Sequence, residues 1–185
     1  FTPYLYKTSD YGQTWSKITN GINKEHFTRV LRADPAKKGL LYAGTETGMY
    51  ISYDDGASWN PFQLNLPIVP ITDLTIKDNS LIVATQGRSL WMIDDLTILH
   101  QLNQEVVNQD LTLFKPKDSY RTQGRSRSSL TQGTNLPNGV IVHFNIKDFD
   151  QSKDTIQLHF KGKDGSVIKT FSTASDKDKL EIKVG

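Results

Sequence analysis

The chain has no cysteine, and no run of apolar residues approaches the length of a membrane-spanning helix. The first absence removes disulfides, thiolate metal sites and a cysteine nucleophile, while leaving the redox compartment open. The second removes a helical span. Excess charge of one sign is lacking too: 22 Lys and Arg stand against 20 Asp and Glu, a net charge of +2. Such a balance points to no charged partner. Of the 4 His, His143 and His159 fall on the polar faces of alternating segments and read as a solvated pair. A metal site wants three or four convergent ligands. His26 and His100 have no partner near them in sequence, so no metal and no cofactor is expected.

What the chain does have is a repeat. Thr8-Ser9-Asp10-Tyr11-Gly12-Gln13-Thr14-Trp15 returns 44 residues later as Ser52-Tyr53-Asp54-Asp55-Gly56-Ala57-Ser58-Trp59. A hydroxyl, Asp, Gly, hydroxyl and Trp recur in one spacing, giving two structural sets: Thr8, Asp10, Gly12, Thr14, Trp15 and Ser52, Asp54, Gly56, Ser58, Trp59. In such a turn the carboxylate accepts hydrogen bonds from N–H groups a few residues on, and Gly supplies the positive φ of the reversal. Both Trp side chains are then expected to be buried in a stack of sheets. A weaker copy follows, since Thr85 to Asp95 aligns without a gap on Thr45 to Asp55, 40 residues earlier, but lacks the Gly and Trp beyond it. A period of roughly 40 to 45 residues suits four short strands and their turns.

The pattern S/T-x-D-x-G-x-S/T-W resembles the Asp-box of sialidase-type and sortilin-type β-propellers, where it is a folding device repeated from blade to blade. Strand-like runs bounded by turn residues agree with that. They are Phe27 to Ala33, Leu40 to Thr45, Met49 to Tyr53 and Trp59 to Leu64, then Ile71 to Ile76, Leu81 to Thr85 and Leu90 to Ile93. From Leu96 to Gln109 the spacing of Leu99, Leu102, Val106 and Val107 predicts one short helix. Leu111 to Phe114 reads as a strand. A basic, Gly- and Ser-containing linker with Arg121, Arg125 and Arg127 comes next. Beyond Asn138 the period becomes two, with Val140, Val142, Phe144 and Ile146, then Ile156, Leu158 and Phe160, then Leu180, Ile182 and Val184 each sharing a face. Asp164-Gly165 reads as a two-residue hairpin turn.

The expected fold class is therefore all-β. Residues 1–95 read as the C-terminal blades of a β-propeller, about two and a half of them. Residues 96–136 read as a helix, an edge strand and the linker, and 137–185 as part of an immunoglobulin- or fibronectin-like β-sandwich. The start at Phe1, mid-blade by alignment, and the small number of sandwich strands lead to the expectation that the chain is cut at both ends. Its partner would then be the remainder of its own polypeptide.

A closer resemblance rests on Arg32-Ala33-Asp34-Pro35, Gly39 to Thr45, Ile51 to Trp59, Leu64-Asn65-Leu66-Pro67, Val69 to Leu74, Thr85 to Asp95, Leu113-Phe114-Lys115-Pro116 and Asn135 to Gly139. These segments, spanning nearly the whole chain, are similar to the last blades and sandwich start of large bacterial BNR-repeat, sortilin-like propeller proteins, often labelled glycosyl hydrolases. One departure is Gln86, where the family often has His. The resemblance implies an exported protein, and implies no particular reaction.

No catalytic constellation is visible. Glycosidases need two carboxylates about 5 to 10 Å apart, whereas Asp54-Asp55 and Asp94-Asp95 are adjacent in sequence and belong to box turns. Strand parity places the second turn of each sheet and the connections between sheets, Glu46-Thr47, Gln86 to Ser89, Asn20 to Glu25 and Asn65 to Pro70, at the end away from the boxes. Arg88, Gln86, Glu46 and Asn65 are the ligand candidates there. Arg88 offers a fixed fork of donors beside a glycine, or else it bridges two sheets. The expected function is a non-catalytic, exported module binding glycan or polypeptide. The alternative is part of a glycoside hydrolase with its catalytic residues upstream. Nucleic acid is not expected, because Arg121, Arg125 and Arg127 have a single aromatic, Tyr120, nearby and form no basic face.

Overall fold

A computed structural model describes residues 1–119, 139–150 and 152–180. Tyr120, Arg121, Arg125, Arg127, Asn135 to Asn138, Ile182 and Val184 lie outside the described residues. The chain divides into two compact units, residues 1–108 with 113–143, and residues 109–112 with 144–185.

Among the described residues, the first unit holds three antiparallel sheets. Strands β1 (Tyr6–Lys7) and β2 (Ser16–Lys17) form a ribbon. Strands β3 (Thr28–Ala33), β4 (Leu41–Thr45), β5 (Gly48–Ser52) and β6 (Asn60–Pro61) follow one another in a four-stranded sheet. A three-stranded sheet holds β7 (Ile71–Lys77), β8 (Ser80–Thr85) and β9 (Leu90–Ile93). The fourth strand of the middle sheet is shorter than its apolar run suggested. Pro61 has no N–H to extend the ladder, and after Phe62 donates to the Met49 carbonyl the Gln63 amide bonds Leu66 and Pro67 and turns the chain away.

Burial follows from position in that stack. β4 and β5 are buried at every residue, because neighbours lie against both of their faces. Leu40, Tyr42, Met49 and Ile51 point one way, into a core with Ile71, Leu74, Leu81, Val83 and Leu96. Leu41, Ala43 and Tyr50 point the other way, to Leu5, Ile22 and Trp59. The period of two thus feeds two separate cores from one sheet. Gly44 marks a close approach: a Cβ there would lie 2.6 Å from Ile71 Cγ2 and 2.7 Å from Val30 Cγ1.

Two helices replace the single one expected between Leu96 and Gln109. α1 (Thr97–Gln101) and α2 (Gln104–Asn108) are separated by Leu102, which is extended at φ −65° and ψ 126°. Two side chains enforce the break. The Lys37 ammonium takes the carbonyls of Leu99 and Leu102, and Asn103 Oδ1 accepts from the Val106 N–H at 2.8 Å, starting a second helix. Leu96 is fully buried, so α1 closes one side of the larger core.

β10 (Leu111–Leu113), whose first two residues belong to the second unit, pairs with β11 (Phe144–Ile146), and within that unit β12 (Gln157–Lys161) pairs with β13 (Val167–Ser172). Alternation is visible at Ile156, Leu158 and Phe160, half-buried, against exposed Gln157, His159 and Lys161. The turn at Asp164-Gly165 is wider than the two-residue hairpin expected. Lys161 pairs with Val167, and the five residues between them close through Gly162 N–H to Ser166 O at 2.8 Å. Asp164 Oδ1 accepting from Ser166 N–H stabilises this longer form. Val140 and Val142 lie outside any strand, and Leu180 donates its N–H to Ser172 O of β13.

Candidate functional site

The two boxes are the same structure twice. In the second, Asp54 Oδ1 accepts from the Ser52 hydroxyl and the Ser58 N–H, each at 2.8 Å, and Oδ2 accepts from the Ser58 hydroxyl. In the first, Asp10 accepts in the same pattern from the Thr8 hydroxyl, the Thr14 N–H and the Thr14 hydroxyl. Gly56 and Gly12, at φ +88° and +90°, donate their N–H to Ser52 and Thr8. The Thr14 hydroxyl, then its N–H, then the Thr8 hydroxyl hold the Asp10 carboxyl down to about 2. Burial pushes Asp54 up, but its bonds to Ser58 and Ser52 outweigh this and leave it below the ordinary carboxylate value. Carboxylates so engaged with their own turn are poor proton donors or nucleophiles. Asp55 pairs instead with Lys7, and Asp95 accepts from Asn79, the Thr97 N–H and the Thr97 hydroxyl, which converts the third turn into the start of α1.

The Trp residues differ, against the expectation that both are buried. Trp59 is 3% exposed and its indole N–H donates to the Ile18 carbonyl, 2.8 Å away across the stack. Trp15 is 59% exposed and donates to Gly12 O of its own turn. The reason is the cover: Ile18 packs on the second box, whereas among the described residues no element lies over the first.

At the other end of the sheets, the ligand candidates separate. Gln86 N–H donates to Pro70 O, so the β8–β9 turn lies beside the connection that contains Asn65. Gln63 Oε1 receives the Met49 N–H, which ties the same connection to the β4–β5 turn containing Glu46. Glu46 pairs through Oε2 with the Arg29 guanidinium. Asn65 is exposed at the rim of a narrow apolar groove of Met49, Phe62, Leu66, Val83 and Trp91. Arg88 and Gln86 are exposed, nothing lies near where a Gly87 Cβ would sit, and the Arg88 guanidinium has no hydrogen-bond or ion-pair partner among the described residues. The bridge between β3 and β7 is made by Arg32 and Asp73 instead.

Two polar assemblies had no signal in the spacing of the sequence. Asp34, with its side chain closed off from solvent, accepts from Ala36 N–H, Lys37 N–H, the Tyr42 hydroxyl at 3.2 Å and His100 Nε2 at 2.9 Å. Burial raises its carboxyl, and the His100 bond with the two backbone donors more than reverses this, while burial pushes the Tyr42 phenol up. Burial of a Tyr in the middle of β4 was the available clue, since a buried hydroxyl needs a partner. His26 is likewise partnered, with Nδ1 2.8 Å from the Tyr50 hydroxyl. Among the described residues, no group of three or more His, Asp or Glu is placed to hold a metal ion.

No protein-family model matches the chain, and no curated protein matches it either.

Proposed function

We propose that the chain is the blade-and-sandwich portion of an exported, non-catalytic β-propeller module, and that it binds glycan at the sheet ends opposite the boxes. Duplication of the box turn, bond for bond, supports the propeller reading, as does a four-stranded antiparallel meander stacked between two further sheets. The engagement of Asp10 and Asp54 within their own turns favours a structural role for the repeat. One observation carries the placement of the ligand: Arg88 stands exposed and unpartnered among the described residues, beside an open glycine. A desolvated guanidinium contact to a ligand oxygen is worth about 1.5 to 3 kcal/mol. Arg88→Ala should therefore weaken glycan binding by that amount, read by array and calorimetry, with an unchanged melting temperature. A large fall in melting temperature with intact affinity would make Arg88 a strut between sheets. Hydrolysis of array glycans by this chain would overturn the non-catalytic reading.

A further inference from the structure

The connection from the first sheet to the second, residues 20–26, faces the β4–β5 turn across an open cleft of about 600 Å³. Its walls carry donors and one unopposed charge. Lys24 is exposed, has no ion-pair partner among the described residues, and no carboxylate lines the cleft. The Tyr50 hydroxyl accepts from the Asn23 N–H at 3.3 Å and lies 2.8 Å from His26 Nδ1. His26 Nε2, the other ring nitrogen, has no partner among the described residues. Thr47, also in the lining, has a hydroxyl closed off from solvent and without a partner among the described residues, which costs free energy until an acceptor reaches it. Ile22, Met49 and Pro61 supply an apolar wall.

We infer that this cleft binds a carboxylated sugar, a hexuronate unit of an acidic glycan. One cation with scattered neutral donors suits a singly charged carboxylate ringed by hydroxyls, whereas a phosphate dianion calls for more than one positive group. The apolar wall offers a surface for the C–H face of a pyranose ring, and the volume accommodates one or two such units. The inference deepens the glycan-binding proposal and rests on it for the sugar class. It adds a site that Arg88 does not define.

Titration calorimetry of the whole chain with trigalacturonate, galactotriose and triglutamate tests it. Trigalacturonate should bind at least about tenfold more tightly than galactotriose, and Lys24→Gln and His26→Gln should each remove about that factor. Lys24 is exposed, so its variant should melt with the parent even if the His26 variant loosens the fold. Equal affinity for acidic and neutral sugar, untouched by Lys24→Gln, would overturn the cleft and leave the glycan-binding module standing. Tighter binding of triglutamate would overturn the sugar class, and binding of no saccharide at all would overturn both readings.

Discussion

At the scale of single residues, two copies of one motif have different energetic weight because of what covers them. Trp59 fills a core beneath Ile18, and Trp59→Ala should cost about 3 to 5 kcal/mol in urea unfolding. Trp15 folds onto its own turn in solvent, and Trp15→Ala should cost no more than about 1 kcal/mol. Near-equal losses would show that Trp15 is covered in solution. The Asp carboxylates make a pH prediction. A carboxyl lowered to about 2 in the folded state stabilises the fold fully above its ordinary value of 3.8, and that stability drains away as pH falls through the interval between them. The melting temperature should drop steeply between about pH 4 and pH 2, and Asp10→Asn should flatten that slope by removing one titrating group. An unchanged slope in the variant would assign acid sensitivity to Asp54, Asp34 or other carboxylates.

At the scale of elements, strands were legible in the sequence and their ends were not. β3 to β9 fall where apolar runs stand between turn residues, since alternation and turn chemistry are local properties. The short β6, the divided helix and the wide turn after β12 were hidden because side chains far along the chain or specific to one loop decide them. Lys37 breaks the helix from more than sixty residues away, and no local pattern announces it. The same holds for the site. Parity of antiparallel turns can be argued from the sequence alone, but the pairing of Glu46 with Arg29 and of His26 with Tyr50 needed the folded register. Asp34 shows the weight of such contacts. It gathers a β-turn, Tyr42 and His100 of α1, so Asp34→Ala should cost about 3 to 5 kcal/mol and expose the Leu96 side of the core. Loss of less than about 1 kcal/mol would mean that the buried donors find other partners.

At the scale of the whole molecule, protection should follow the stack. Amides of β4 and β5, buried on both faces, should exchange most slowly with deuterium, those of β1 and β2 among the fastest in the first unit. Slow exchange in the ribbon, equal to that of β4, would mean that its outer face is covered in solution. Each unit should also report its own exchange pattern, because their internal contacts are separate.

The box turns bear, finally, on how quickly the chain finds its fold. Every hydrogen bond of the Asp54 carboxylate is made to a residue two or four positions away, so this turn closes before any distant segment must be located. Closing so short a loop takes tens of nanoseconds to microseconds, far ahead of the sheet stacking that buries Trp59. The turn thus sets the β5–β6 reversal at an early stage, as a nucleus that is paid for locally. Asp54→Ala should then slow refolding with little change in the unfolding rate, whereas Trp59→Ala should chiefly speed unfolding.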